Sequence, residues 1–290
     1  MRLSHFQAKA LNRLHCLSLL NGTVAIRINQ KKFIIPLLGR QGFDNLDLSE
    51  PWMTQTLLSL RGLFNGHFVD VGVNIGQTLL KALAVFDKPQ YIGFEPNPSC
   101  VNYLQELVRV NALNNTVILP IAVGAETEML KLNFFSADQN DSSASVIENF
   151  RPNNRTDHYI YVPVFDFHLL TRFLPSRPFS ILKIEVEGAE LEVLMGLKEW
   201  IQEWKPLILL EILPVYSTEN QSRLDRQNNI EGLLLAWNYK IGRIKKEEPV
   251  SLQIIDTIGI HSSMENCDYL LYPASIHEKI TGCFPAAGKS

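Results

Sequence analysis

Three short segments of the sequence combine polar side chains and glycine in spacings that could do chemistry. The first is Asp70-Val71-Gly72-Val73-Asn74-Ile75-Gly76, which follows an apolar run and precedes a segment with helical spacing. Glycine lets the backbone approach a ligand closely and adopt positive φ, and the following helix offers free N–H groups at its start. Ligands bind open parallel sheets at the carboxyl ends of the strands. Asp70, Gly72, Asn74 and Gly76 are therefore predicted to bind a nucleotide-like cofactor.

The second segment, Gly93-Phe94-Glu95-Pro96, ends the next predicted strand, and Glu95 lies 25 residues after Asp70. A carboxylate there can accept hydrogen bonds from both hydroxyls of a ribose. Dinucleotide enzymes usually have G-x-G-x-x-G in the preceding turn, whereas Asn74 here takes the place of the middle glycine. The acidic Asp70 suits a positively charged ligand, such as the aminoacyl end of S-adenosylmethionine. Together the two segments indicate a nucleoside cofactor, but they do not by themselves exclude NAD.

The third segment, S-I-L-K-I-E-V-E-G-A-E, begins at residue 180. Because side chains alternate along a strand, Lys183, Glu185 and Glu187 are predicted to lie on one side of it. Charges in a sheet that is covered on both faces are costly unless they are paired. The pattern favours a functional site, and a structural ion network that positions the loop is the alternative.

Lys183 lies within an apolar run, so its ammonium needs a partner in the sheet. The alternation of strands and helices predicts a doubly wound α/β fold. In the usual strand order of that fold, the first strand, which carries Asp70, lies beside the fourth. The fifth strand lies on the other flank and carries Glu211. We therefore predict that Lys183 pairs with Asp70, Glu211 or its strand neighbour Glu185.

The motifs D-V-G-x-N-x-G-Q-T, G-F-E-P and L-K-I-E-V-E-G-A-E together resemble the FkbM family of methyltransferases. The resemblance runs from about Trp52 to Ile212. The chain departs from the family pattern at Glu185, where Asp is usual, and at Val73, where Ala is usual. The resemblance implies methyl transfer from S-adenosylmethionine, typically to a hydroxyl of a small molecule, a sugar or a glycolipid.

The resemblance also implies roles for individual residues. Asp70, Gly72, Asn74 and Gly76 match the cofactor turn, and Glu95 matches the acid that binds the ribose. Asp166 matches an acid that follows the inserted hairpin. The positions that match the fourth-strand motif are Lys183, Glu185, Glu187 and Glu190.

Methyl transfer to an alcohol requires the acceptor to lose a proton, and Glu185 or Glu187 is the best candidate for the general base. Lys183 completes the predicted catalytic set. We predict no metal, although Asp166, Glu185 and Glu187 carry the oxygen ligands that magnesium prefers. Two other functions stay open on the residues alone: an NAD-type oxidoreductase and a cofactor-binding module without catalysis.

The elements that must position these residues follow an alternation of strands and helices from residue 67 onwards. This alternation predicts an α/β fold, a doubly wound and mainly parallel seven-stranded sheet of the Rossmann-like methyltransferase type. Residues 116–123 are predicted as its third strand and residues 189–204 as one helix. Residues 1–64 read as an accessory region with a helix and a β-hairpin, residues 65–275 as the methyltransferase domain, and residues 276–290 as a tail.

A polar stretch interrupts the alternation and is flanked by two predicted strands. Residues 130–165 are therefore predicted to form an insert that covers the cofactor. Long loops inside a compact domain are usually functional or disordered. Within the insert, Ser142 is the predicted cofactor contact.

The composition excludes several classes of protein. The chain has 290 residues and a formal net charge of -3, and no block of like charges stands out. We therefore expect no nucleic-acid or membrane-surface footprint and no stable membrane insertion. The four cysteines are scattered without metal-ligand spacing, which favours free thiols and a cytoplasmic location. The expected partner is a small molecule or glycan with a hydroxyl acceptor.

Overall fold

The chain begins with a small sheet and two helices that form the accessory region. The computed structural model describes residues 1–135, 144–147, 156–172, 174 and 178–285. The elements of the accessory region are β1 (Arg2–Leu3), α1 (His5–Arg13), β2 (Asn21–Ile28), β3 (Lys31–Leu38) and α2 (Pro51–Ser59). Strands β2 and β3 pair as the predicted antiparallel hairpin, and β1 adds to β2 in parallel.

Strands and helices alternate through the rest of the described chain. The strands are β4 (His67–Val71), β5 (Gln90–Phe94), β6 (Thr116–Leu119), β7 (Ala122–Val123), β8 (Glu128–Phe134), β9 (His158–Phe165), β10 (Phe179–Ile184), β11 (Leu207–Glu211), β12 (Tyr239–Lys245), β13 (Ser251–Ile255) and β14 (Asp268–Pro273). The helices are α3 (Gln77–Val85), α4 (Pro98–Val110), α5 (Phe167–Leu170), α6 (Glu190–Gly196), α7 (Lys198–Trp204), α8 (Gln221–Ala236) and α9 (His277–Cys283).

The main sheet has eight strands in the order β13-β12-β14-β11-β10-β4-β5-β6. Strands β11, β10, β4, β5 and β6 are parallel, whereas β14, β12 and β13 join through antiparallel pairs. This is the predicted α/β, mainly parallel fold. It has one strand more than the seven predicted, because β13 forms a hairpin with β12 at the edge.

The predicted third strand is shorter than expected. Strand β6 ends at Leu119, and Pro120 follows it. Proline has no N–H to continue a ladder of hydrogen bonds. After it, Ala122–Val123 pairs with β9 in a separate sheet with the order β7-β9-β8. Strands β8 and β9 are the two strands predicted to flank the insert, and they form an antiparallel hairpin outside the main sheet.

Apolar side chains of the central strands alternate between two hydrophobic clusters, one on each face of the sheet. Phe68 and Ile181 belong to the first cluster, whereas Val69 and Leu182 belong to the second. The accessory region contributes buried side chains to the first cluster, among them Ile35. Helices α3 and α4 contribute to the same cluster, so they and the accessory region cover this face together, opposite the face covered by α6, α7 and α8.

A lysine of the hairpin, Lys31, is one of the residues that attach the accessory region to α3. Lys31 Nζ donates hydrogen bonds to the carbonyl oxygens of Leu83 at 2.8 Å and Phe86 at 2.7 Å. The last carbonyls of a helix have no partner within the helix, and a cation there is favoured by the helix dipole. Lys31 therefore caps the end of the helix that begins at the predicted cofactor turn.

The segment predicted as one helix is divided into α6 and α7 at Leu197, whose φ of -109° and ψ of 10° leave the helical region. At the end of α6, Gly196 packs directly against the backbone of Gly124, and a Cβ on Gly196 would lie 2.1 Å from the Gly124 carbonyl oxygen. The close approach requires glycine.

No helix of the described residues has both the length and the apolar character needed to cross a bilayer.

Substitution of Gly196 by alanine is expected to destabilise the protein, because the new methyl group overlaps backbone rather than a flexible side chain. We expect Gly196→Ala to lower the free energy of unfolding in urea by about 1–3 kcal/mol. Gly232→Ala is the matched control, since Gly232 is also helical and a Cβ there meets nothing within 4 Å. It should raise stability by about 0.5–1 kcal/mol. Equal effects of the two substitutions would contradict the packing described.

Candidate active site

A cavity with a volume of about 90 Å³ opens at the carboxyl ends of β4, β5 and β10. All three motifs contribute to its walls, and β7, β8 and the insert close the remaining side. Its lining residues are Val71, Gly72, Asn74, Phe94, Glu95, Pro96, Asn97, Cys100, Ile121, Ala122, Val123, Leu132, Ala144, Val146, Glu185, Val186, Glu187, Ala189 and Val193.

The glycine turn forms the floor of this cavity. Gly72, Asn74 and Gly76 have φ values of 87°, 50° and 83°, so three residues of the turn are left-handed. A Cβ on Gly72 would lie only 1.9 Å from the carbonyl oxygen of Glu185. The turn therefore needs glycine at residue 72 both for its conformation and for contact with the end of β10. Gly76 then begins helix α3.

Glu95 ties this turn to the end of β5. One carboxylate oxygen accepts a hydrogen bond from the backbone N–H of Asn74 at 2.6 Å, and the other accepts one from Asn97 N–H at 2.8 Å. The residue is only 6% exposed. Burial raises the pKa of Glu95 to about 7, although the two N–H groups oppose the rise. Each oxygen keeps a lone pair, so Glu95 can accept further hydrogen bonds from a ligand in the cavity.

Lys183 is buried below the cavity, and its ammonium donates a hydrogen bond to Gly72 and forms ion pairs with Asp70 and Glu185. Its Nζ lies 2.8 Å from the carbonyl oxygen of Gly72, 3.1 Å from Glu185 Oε2 and 3.2 Å from Asp70 Oδ1. The predicted pairing is therefore confirmed, with Asp70 and Glu185 rather than Glu211. Burial lowers the pKa of Lys183, but the charges of Asp70 and Glu185 outweigh it and raise the pKa overall. The ammonium stays charged.

Asp70 is fully buried and does not line the cavity. The hydroxyl of Tyr91 donates a hydrogen bond to one of its oxygens, and Lys183 pairs with the other. The sequence predicts that Asp70 contacts a ligand directly, but in this arrangement its carboxylate does not reach the cavity. Both oxygens face the interior of the sheet, so Asp70 acts on the cavity through Lys183.

Strand β10 ends before Glu185, so Glu185 and Glu187 lie in the loop after it and not, as predicted, on one side of the strand; both line the cavity. Glu187 has a φ of 53°, and its carbonyl accepts a hydrogen bond from Ser145 Oγ at 2.7 Å. The carbonyl of Gly188 accepts one from the guanidinium of Arg226 at 2.6 Å. These two contacts hold the loop from opposite sides.

Glu190 supports this loop and does not line the cavity. Its side chain accepts a hydrogen bond from the backbone N–H of Gly188 at 2.9 Å. Burial raises the pKa of Glu190 to about 7, against the effect of the backbone N–H groups. Asp166, the other acid predicted to belong to the site, accepts a hydrogen bond from Leu169 N–H and begins helix α5. Among the described residues, no group of three or more His, Cys, Asp or Glu is arranged to hold a metal ion.

Part of the predicted insert borders the cavity. Ala144 and Val146 contribute to its lining, and Ser145 pairs with Asn133 of β8. The predicted contact Ser142 lies outside the described residues.

Several residues of the site have no clear signal in the motifs. Cys100 lines the cavity and donates to the side-chain oxygen of Asn74 at 3.4 Å. Tyr91 of β5 donates a hydrogen bond to Asp70 of β4, so this contact depends on the register between the two strands. Asn97 could have been found, because an asparagine before Pro98 is a helix-start signal, and its side chain does cap α4.

A second, much smaller cavity, with a volume of about 10 Å³, shares Glu185 with the first. Trp52 and Met53 of α2 form one wall, and Glu211 and Asp268 lie opposite. Burial and the nearby charges of Glu185 and Asp268 raise the pKa of Glu211 to about 9. At neutral pH Glu211 is therefore protonated and can donate a hydrogen bond.

The following family and proteins match this chain, and each is described as a methyltransferase. The family described as Methyltransferase FkbM domain matches residues 70–270. Methyltransferase 1 of Beauveria bassiana is 26% identical over 149 residues, which cover 47% of this chain and 59% of that protein. Methyltransferase sdnD of Sordaria araneosa is 25% identical over 175 residues, which cover 49% of this chain and 68% of that protein.

A solved structure, the methyltransferase FkbM of Methylobacillus flagellatus, is also similar. It aligns with a TM-score of 0.42 and 17% identity, over 74% of this chain and 47% of that one. The chain thus spans about half of that structure and less than two thirds of the Beauveria protein.

Removal of the Lys183 ammonium should destabilise the protein strongly, because Asp70 would keep a buried and unpaired charge. We expect Lys183→Met to lower the free energy of unfolding by about 3–5 kcal/mol. Lys198→Met is the control, since Lys198 is exposed at the start of α7 and its loss should change stability by no more than about 0.5 kcal/mol. Wild-type melting of the Lys183→Met protein would refute the buried pairing.

Proposed function

Because the chain belongs to the FkbM methyltransferase family, we propose that it transfers a methyl group from S-adenosylmethionine to a hydroxyl oxygen of a small molecule, a sugar or a glycolipid. The observation that carries the proposal is the first cavity, which joins the left-handed turn and the buried Glu95 at the carboxyl ends of β4 and β5. The rest of the proposal concerns which residues hold the cofactor and which act on the acceptor.

The residues of the first cavity fit an adenosyl cofactor. Gly72 lets the turn pack against the carbonyl of Glu185 and line the cavity with backbone, and Glu95 can accept hydrogen bonds from ribose hydroxyls in addition to its two backbone donors. Carbonyl groups and the carboxylates of Glu185 and Glu187 give the opposite end of the cavity a negative character that suits a cationic sulfonium. When bound, the cofactor supplies a methyl group on positively charged sulfur, which an oxygen nucleophile can attack.

Glu185 is the proposed general base. It is the acid that lines both cavities, and its side chain is 42% exposed although Lys183 holds one oxygen. A hydroxyl in the second cavity could donate its proton to Glu185 and accept a hydrogen bond from protonated Glu211. This pair of one acceptor and one donor matches a hydroxyl, which is both donor and acceptor. The second cavity has room for about one water-sized group, so we propose that only the hydroxyl of the acceptor enters it, with Lys183 as the residue that orients the base.

Cofactor binding should depend on the charge of Glu95. Calorimetry is expected to show binding of S-adenosylhomocysteine, weakened by about 1–3 kcal/mol in Glu95→Gln because charged hydrogen bonds are lost. The raised pKa of about 7 sets the pH dependence. Below pH 7 Glu95 is protonated and accepts ribose donors poorly, so affinity should fall as the pH drops below 7 and reach a plateau above it.

Glu95→Gln should remove this pH dependence, since an amide does not titrate in this range. The same slope in the variant would mean that another group is responsible. Binding of NAD without binding of S-adenosylhomocysteine would overturn the methyltransferase proposal itself.

Loss of the base should separate chemistry from cofactor binding. Incubation with cofactor that carries a labelled methyl group, followed by mass spectrometry of hydroxylated metabolites, is expected to reveal a product that gains one methyl. Glu185→Gln should reduce its rate about 10²–10⁴-fold and leave affinity for S-adenosylhomocysteine nearly unchanged. Glu192→Gln is the control, because Glu192 pairs with Arg226 and does not line the first or the second cavity. An active Glu185→Gln enzyme would exclude Glu185 as the base.

A further inference from the structure

Helix α1 and the turn after it leave large apolar side chains in water. Phe6 and Leu19 are each 82% exposed, and Leu14 is 70% exposed. Single exposed apolar residues are common, but three within fourteen residues of sequence form a concentration that calls for a partner.

The geometry of α1 places these side chains on its outer side. Ala8 is fully buried and marks the side that faces the protein. Phe6, Lys9, Ala10 and Arg13 have the spacing of the opposite side of the helix.

Leu14 follows directly at the end of α1 and Leu19 ends the next turn. That turn is held against α1 by a hydrogen bond from Cys16 N–H to the Leu11 carbonyl at 2.9 Å. Leu17 of the same turn is buried and anchors it.

The same part of the chain is strongly basic. Residues 1–40 contain seven of the 27 Lys and Arg residues, whereas all 30 Asp and Glu residues lie after residue 40. The small net charge of the whole chain conceals this asymmetry. Lys9 is neutralised by Asp47 at 2.7 Å, but Arg2 and Arg13 are exposed, and each lies within four residues of an exposed apolar side chain in the sequence.

We propose that this docking surface, defined as Arg2, Phe6, Arg13, Leu14 and Leu19, binds the surface of a bilayer rich in anionic lipids. Apolar side chains enter the boundary between headgroups and acyl chains, and the arginines pair with the anionic headgroups. The surface lies on the bilayer without crossing it. This inference goes beyond the proposed methyl transfer and does not depend on it.

The positive charge of the docking surface favours binding to a membrane over binding to a second copy of this chain. A second copy would bring a surface of the same positive sign against this one, and like charges repel at close range. Anionic headgroups supply the opposite charge over an extended area and a nonpolar layer directly beneath it, which matches both kinds of side chain on the docking surface.

The test is sedimentation of the full chain with vesicles. Vesicles of phosphatidylcholine with about 30% phosphatidylglycerol should bind the protein, pure phosphatidylcholine vesicles should bind it at least about tenfold more weakly, and about 0.5 M salt should release it. The triple variant Phe6→Ser, Leu14→Ser, Leu19→Ser should bind at least about tenfold more weakly, because its apolar contacts are lost. Arg2→Gln with Arg13→Gln should weaken the binding and reduce its dependence on salt.

Leu235→Ser is the matched control, since Leu235 on α8 is also 82% exposed but lies outside the basic part of the chain. It should bind vesicles like the wild type. All the substituted residues are exposed, so each variant should keep its melting temperature and its affinity for S-adenosylhomocysteine. Equal binding by the triple variant, or no preference for the anionic vesicles, would overturn the proposal. A dimer in sedimentation velocity that the triple variant converts to a monomer would also overturn it and assign the surface to contact between copies.

Discussion

A charged ammonium cannot remain in the middle of a covered sheet unless each of its protons has an acceptor. Around Lys183 lie three oxygen partners, one from β4, one from the glycine turn and one from the loop after β10. The three acceptors belong to β4, the glycine turn and the loop after β10, and the site needs these segments in fixed positions relative to one another. A shift of any one of them would leave part of the buried charge unsatisfied, so the position of Glu185 and the conformation of the turn are determined together.

The carboxyl groups around Lys183 differ in protonation because their surroundings differ. Glu95 has two backbone N–H partners and a pKa near 7, whereas Glu211 faces other acids and has a pKa near 9. Glu185 shares the lysine and stays accessible from both cavities. Separate environments for neighbouring acids are a common way to assign an acceptor and a donor within one site.

Much of the fold and part of the site could be predicted from the sequence. The alternation of strands and helices predicted the parallel sheet, because apolar runs and helical spacing are local properties, and the three motifs were placed together by the rule that strand ends meet at one edge. The pairing of Lys183 was predicted for the same reason. The burial of Asp70 was not, because it depends on Tyr91, whose contact arises only from the register between β4 and β5.

Other differences also come from contacts between distant segments. The division of α6 from α7 follows a helix end packed against Gly124, which no local pattern of residues 189–204 contains. The eighth strand exists because β13 folds back on β12 at the sheet edge, where short strands carry a weak periodic signal. The second cavity needs α2, which the sequence assigned to an accessory region without a role in the site.

Trp52 and Met53 give the accessory region a part in the second cavity. They form one wall of the second cavity, whereas the floor of the first cavity comes entirely from β4, β5 and the loops that follow them. The match to the family begins at residue 70, so this wall comes from outside the matched domain, whereas the glycine turn lies inside it. Substitutions in α2 would therefore alter the second cavity while every residue of the turn is kept.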